Sequence, residues 1–245
     1  MGSSEKCYED FYKVLEKATI DSVRQNMVLT ISGGWDTRVI AGILASNKIF
    51  MPSVTCKSKL EQTIGSKVAS VLGFKEHYVC DTKHLYPTLK NLGCQFLLTG
   101  ACFDEINGAW TGCKAKTYRE FKHAQKFGMT KRFRDHEALK RTAPPFWVTP
   151  ILTKPVLEAL NKIPWQRRIR KQIQRWILRN KFPKLWHIPY YDSLLPNFLP
   201  YLAHGLSANG FLFIRKGLRW RNCHLYSTPT SQEKRVENEV DKLIM

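Results

Sequence analysis

The 245-residue sequence is poor in acidic side chains: 20 Asp and Glu stand against 39 Lys and Arg, for a net charge of +19. It has no run near the roughly 18 apolar residues that a membrane-spanning helix needs, which excludes a helical span. The amino-terminal stretch is a charged helical pattern and not a signal peptide, and Lys6 stands where a myristoylation pattern needs Ser or Thr. Seven cysteines (Cys7, Cys56, Cys80, Cys94, Cys102, Cys113 and Cys223) form no CxxC pair. Their odd number and spacing argue against a disulfide framework or a zinc site and predict buried thiols in a reducing cytoplasm. The seven histidines show no HxxxH or HExxH spacing, so no histidine metal site is expected. Disorder is excluded as the source of the charge, because aromatics at 12% and a hydrophobic content of 43% predict a sizeable packed core.

What is there is unevenly spread. Residues 1–105 carry a net charge of +1, residues 106–200 of +15 and residues 201–245 of +3. The excess lies in the run 114–141 and in Arg167, Arg168, Arg170, Lys171, Arg175, Arg179, Lys181 and Lys184. Such a single-sign region selects phosphate-bearing ligands, other anions or RNA as partners.

Periodicity divides the chain. Cys7, Phe11, Val14, Leu15 and Ala18 follow helical spacing behind Ser3 or Ser4 as a cap. Short apolar runs at Met27–Ile31, Ser53–Cys56, His77–Cys80 and Gln95–Thr99 then alternate with helical stretches at Asp36–Ser46, near 61–72 and near 82–92. This alternation predicts an α/β fold, an open, doubly wound parallel sheet. Beyond Trp110 the pattern is helical and basic, cut by Pro144, Pro145, Pro150, Pro155 and Pro164. A continuous helix is expected over Trp165–Asn180, loop over Ile188–Tyr201 and a last helix over Ser231–Ile244. The expected division is a nucleotide-binding α/β domain over 1–110 and a basic helical substrate subdomain over 111–245.

The loop after the first strand reads Ser32-Gly33-Gly34-Trp35-Asp36-Thr37-Arg38. Its glycines let backbone N–H groups approach an anion, and the helix start adds unpaired donors. Ser32 and Thr37 place hydroxyls where phosphate oxygens would sit, and Asp36 could hold a divalent metal. The plainer alternative is a strand–turn–helix in which Asp36 or Thr37 caps the helix. The loop is not a Walker A sequence. It resembles the SGGxDS signature of the PP-loop ATP pyrophosphatases, with Thr37 in place of the second serine.

A second motif follows the fourth strand: Thr99-Gly100-Ala101-Cys102-Phe103-Asp104-Glu105. It is similar to the TGxGxDE segment of the asparagine synthetase C-terminal family, and it follows the first motif in that family's order. Carboxyl ends of strands flanking the switch point of an open sheet face one crevice. Pro145–Pro150, Val156–Leu160 and the basic stretch Arg167–Leu178 resemble later parts of the same family more loosely. The resemblance implies an ATP-dependent, adenylate-forming amidoligase. It implies Ser32, Gly33, Gly34, Thr37 and Gly100 at the phosphates, Thr55 and Cys56 at adenosine, and Asp36 and Asp104 sharing Mg²⁺. By the same likeness Lys171 is the candidate lysine that stabilises charge during acyl transfer.

Two departures qualify this. Gly2, not a nucleophilic cysteine, follows Met1, so the expectation is an enzyme without its own glutaminase, supplied by a separate ammonia or glutaminase donor. Ala101 and Cys102 replace the family's Glu and Gly, so the carboxylate expected to handle the proton of an attacking ammonia is missing. The alternatives are a tRNA-modifying PP-loop enzyme that binds RNA through the basic helices, with a catalytic thiol at Cys94, Cys102 or Cys113, and a degenerate relative that binds nucleotide without turnover. Trp165, Trp176 and Trp186 could stack on bases in the first case or pack the helical part in any case.

Overall fold

The computed structural model describes residues 3–56, 58–108, 115–135 and 144–189. The calls on Cys113, the loop over 190–201, the last helix at 231–244 and everything else in 190–245 lie outside the described residues.

Five strands, β1 (Met27–Thr30), β2 (Ser53–Cys56), β3 (His77–Cys80), β4 (Phe96–Leu98) and β5 (Phe146–Val148), form one sheet in the order β3-β2-β1-β4-β5. Every pairing is parallel, with Leu29 opposite Ser53, Val28 opposite Leu97 and Leu97 opposite Trp147. Alternate residues of β1 enter different cores. Met27, Leu29 and Ile31 join the larger cluster, and Val28 joins a smaller one with Val54, Leu89, Cys94 and Leu97. The period of two thus buries both faces, as a parallel sheet requires. The fold is an α/β fold with an all-parallel sheet, compatible with a doubly wound arrangement.

The helices on the larger core are α1 (Ser3–Asp21), α2 (Trp35–Ser46), α3 (Lys59–Leu72), α5 (Phe103–Ile106), α6 (Tyr118–Asp135), α7 (Lys154–Asn161), α8 (Gln172–Asn180) and α9 (Pro183–Trp186), while Leu89 of α4 (Leu85–Asn91) packs on the other side. In α1, Tyr8, Phe11, Tyr12 and Leu15 repeat at helical spacing and are all buried. In α3, the Ser58 hydroxyl accepts the Glu61 N–H at 3.3 Å, and Gly73 ends the helix in the left-handed conformation (φ 84°).

Three differences from the expected elements matter. A three-residue strand, β5, follows Pro144-Pro145 where no strand is expected, and it extends the sheet beyond β4. The stretch near 82–92 opens as a 3-10 turn at Thr82–His84 before α4 begins. The expected helix 165–180 is broken: 3-10 turns span Trp165–Arg167 and Ile169–Lys171, and α8 starts only at Gln172. Arg170 (φ 55°) and Lys171 (φ 57°) are both left-handed, which no α-helix accommodates.

The division near 110 does not separate two cores. Ile151, Val156, Leu160, Ile173, Ile177, Leu178 and Leu185 pack in the same cluster as Phe11, Leu29, Ile40 and Leu98. Among the described residues, no core belongs to 111–245 alone. No described helix is long and apolar enough to cross a membrane.

Candidate functional site

The site lies where the strand order reverses. β2 and β3 lie to one side of β1, β4 and β5 to the other, so the loops leaving β1 and β4 open a crevice at their carboxyl ends. A cleft of about 200 Å³ occupies it. Its wall includes Ser32, Gly34, Asp36 and Thr37 after β1, Cys56 at the end of β2, Gly100, Ala101 and Asp104 after β4, and Lys171 and Arg132 from later in the chain.

The β1 loop is held by its own hydroxyls. Thr37 Oγ1 accepts the Ser32 N–H at 3.0 Å and lies 2.9 Å from Ser32 Oγ, which accepts the Gly34 N–H at 3.1 Å. Gly34 is the N-cap of the 12-residue α2, and no side chain caps that end. Neither Asp36 nor Thr37 is the cap. The first turn of α2 therefore offers backbone donors and the positive end of the helix dipole to the cleft.

Gly100 explains how the two motifs meet. A Cβ there would stand 2.5 Å from the Asp36 carbonyl carbon and 2.8 Å from the Thr37 nitrogen, so only glycine lets the β4 loop lie against α2. Asp104, at the start of α5 (Phe103–Ile106), is thereby brought beside Asp36. Cys102, immediately before α5, holds φ 70° where glycine would be at ease, and it is fully buried. Burial pushes its thiol up to about 12, so it is protonated at neutral pH and unreactive. Cys94 is also buried, its thiol is raised for the same reason, and it directs its sulfur to the Phe96 carbonyl.

Lys171 reaches into this pair. Its ammonium lies 3.5 Å from Asp36 Oδ1 and forms a close ion pair with Asp104 Oδ2, and its side chain is only 4% exposed. Gln174 stands beside it, donating from Nε2 to Asp36 Oδ1 at 3.2 Å and to Asp104 Oδ1 at 3.1 Å. Burial first, and the neighbouring Asp104 carboxylate second, hold the Asp36 carboxyl above its ordinary range, with Lys171 opposing them. Glu105 turns away to Arg132 Nε at 2.9 Å, and burial raises its carboxyl too.

Comparison with known proteins finds no matching family model and no curated protein of significant similarity.

Of the residues expected here from the sequence, Ser32, Gly34, Asp36, Thr37, Cys56, Gly100, Asp104 and Lys171 line one cleft. Gly33 and Thr55 are placed otherwise. The Gly33 carbonyl accepts from Arg38 Nη2 at 2.8 Å. Thr55 is fully buried, donates to the Ile31 carbonyl at 2.5 Å and packs its side chain on Gly65. Sequence reasoning missed Gln174, Arg132 and the part played by Arg38. Arg38 is fully buried inside the first motif, and its guanidinium donates to the carbonyls of Gly33, Leu185, Ile188 and Pro189. It ties the start of α2 to the chain after α9 (Pro183–Trp186). The one available signal was an arginine on the apolar face of a helix.

The tryptophans pack. Trp186 lies 5.6 Å from Trp35, Trp165 lies 5.5 Å from Phe121, and Trp176 lies 5.8 Å from Tyr8, ring centroid to centroid. Arg168, one carrier of the basic excess, is buried and donates to the carbonyls of Ile163 and Asn161 at and just beyond the end of α7.

Among the described residues, no group of three or more His, Cys, Asp or Glu side chains could hold a metal ion by itself. Asp36 and Asp104 are two hard oxygen donors bridged by an ammonium, a pair that could hold a divalent cation whose other ligands are water or ligand oxygens. Mg²⁺ is commonly bound in that manner.

Proposed function

We propose that the chain is an ATP-dependent, adenylate-forming ligase of the PP-loop, asparagine synthetase C-terminal type. The observation that carries this reading is the convergence of Asp36 and Asp104 with Lys171 at the uncapped start of α2. The sequence likeness at both motifs points to the same chemistry.

In this reading the triphosphate lies across the α2 N-terminus, with the Gly34 backbone and the Ser32 and Thr37 hydroxyls at its β- and γ-phosphates. Cys56 lines the side towards β2, where adenosine would rest. A substrate carboxylate oxygen attacks the α-phosphorus, the α–β bridging bond breaks, and pyrophosphate leaves with that electron pair. Bound between Asp36 and Asp104, Mg²⁺ would offset the charge gathering on the departing pyrophosphate. Lys171 offers its ammonium to the developing negative charge, and an amine then captures the acyl-adenylate with loss of AMP. Arg132 in the cleft wall and the +15 middle segment favour an anionic acyl substrate.

A nucleotide binder without turnover is the second reading. It is favoured by Ala101, which places a methyl group in the cleft wall where the family carries a carboxylate. Carboxylate-dependent ATP–pyrophosphate exchange separates the two. The ligase reading expects exchange with at least one carboxylate and its loss in Asp36→Ala and Asp104→Ala. Exchange that persists unchanged in both variants would sink it.

A further inference from the structure

Two carboxylates as close and as buried as Asp36 and Asp104 repel each other and lose hydration. The chain answers with a cation of its own. Lys171 ion-pairs with both, and Gln174, with no exposed surface, hydrogen-bonds to both. The Gln174 amide is oriented by Asn107, whose Nδ2 donates to Gln174 Oε1 at 3.4 Å, so Nε2 is the end that faces the carboxylates. Asn107 is the C-cap of α5, the element that carries Asp104, so the group that orients Gln174 stands three residues from one of the carboxylates Gln174 holds.

The backbone is bent to make this contact. Lys171 sits in the left-handed region beside a second left-handed residue, Arg170, and neither is glycine. Such conformations are costly and persist where the surroundings over-determine them. A straight helix over 165–180 would avoid the cost.

We propose that Lys171 is a built-in counter-ion occupying the cation position of the Asp36–Asp104 pair, and that a divalent cation enters by exchange with it. Gln174 is the positioning residue that keeps the two carboxylates facing one another through the exchange. The proposal rests on the ATP–Mg²⁺ reading of the cleft. It adds an order of events: Lys171 leaves the carboxylates as the cation arrives, and its ammonium becomes available within the cleft wall only in the loaded site. Two carboxylates carry two negative charges, of which the ammonium offsets one and a divalent ion both, so the exchange favours the ion once it is available.

The test is a Mn²⁺ titration of the full chain without nucleotide, followed by calorimetry or electron paramagnetic resonance. Removing the resident charge in Lys171→Met should tighten Mn²⁺ binding by about tenfold or more. Structural damage alone could only weaken it. Adding Gln174→Leu to Lys171→Met should give back several-fold of that gain. Adding Asp36→Asn should abolish it.

Unchanged or weaker Mn²⁺ binding in Lys171→Met overturns the proposal, and so does tight binding that survives Asp36→Asn. If Lys171→Met fails to fold without metal, refolding upon Mn²⁺ addition reads the same exchange. Failure to fold with Mn²⁺ present overturns it. Nucleotide is absent throughout, so tightened binding without ATP–pyrophosphate exchange would retain the counter-ion and dismiss the ligase. Exchange activity without tightening would do the reverse.

Discussion

Gly100 has no room for a side chain, and the site depends on it. A methyl group there would meet backbone atoms of Asp36 and Thr37, not the movable end of a side chain. Gly100→Ala should therefore part β4 from α2. We expect a loss of about 2 kcal/mol or more in urea denaturation, together with loss of nucleotide binding. Cys102, one position beyond Ala101, should resist iodoacetamide in the native chain at pH 8, while Cys56, partly exposed at the cleft, is modified. Mass spectrometry of the labelled peptides checks this. His77 sets a pH dependence. Burial lowers its pKa below the ordinary 6.5, so on acidification the unfolded chain takes up this proton first. Its contribution is present above pH 6.5 and lost as the pH falls through the folded-state value. Asp36 and Glu105, both raised, act with the opposite sign: their contribution is held at low pH and lost as the pH rises. His77→Asn should therefore flatten the fall in the urea midpoint between pH 7.5 and 5 relative to wild type. At this scale the sequence was legible where chemistry is local. Ser32, Gly34, Asp36, Thr37 and Asp104 stand in two short motifs that the sequence singles out, and the fold brings them to one cleft. Gln174 stands in no motif, because an amide becomes a clamp only through what the fold sets beside it.

Among the elements, α8 departs most from a plain periodic reading. Ile169, Ile173, Trp176 and Ile177 share a helical spacing in the sequence, but Arg170 and the buried Lys171 are left-handed and interrupt the helix between the first two. Arg170 is exposed, and its left-handed conformation favours glycine. Arg170→Gly should thus raise stability by up to about 1 kcal/mol, since relief of the left-handed penalty exceeds the entropic cost of glycine. Arg170→Ile should lower it, and urea denaturation reads both. The other elements followed from periodicity, because β1 to β4 are apolar runs bounded by breakers. β5 escaped it: three residues between Pro145 and Pro150 are too few to show alternation, and their pairing to β4 is set by tertiary contact. Arg38 escaped for a related reason. Its acceptors are four backbone carbonyls, three of them about 150 residues away, and backbone acceptors leave no mark in a sequence.

At the scale of the whole molecule, the sheet and the helices that cover it are drawn from both halves of the chain. Net charge rises from near neutral to strongly basic across residue 106 without a corresponding break in the core. A fragment ending at residue 110 lacks β5, α7 and α8, so its larger core is left open. It should show no cooperative unfolding transition by circular dichroism, whereas the full chain should. The later, basic residues include two that line the cleft, Lys171 and Arg132, on a scaffold they help to build. The central claim is that this shared scaffold presents a triphosphate site at the switch point between β1 and β4. Calorimetric titration with α,β-methylene-ATP and Mg²⁺ tests it most directly, because it needs neither the acyl substrate nor turnover. The wild-type chain should bind the analogue, with affinity reduced about tenfold or more in Asp36→Ala and in Asp104→Ala. No binding by the wild-type chain, or equal binding by all three proteins, would contradict the account.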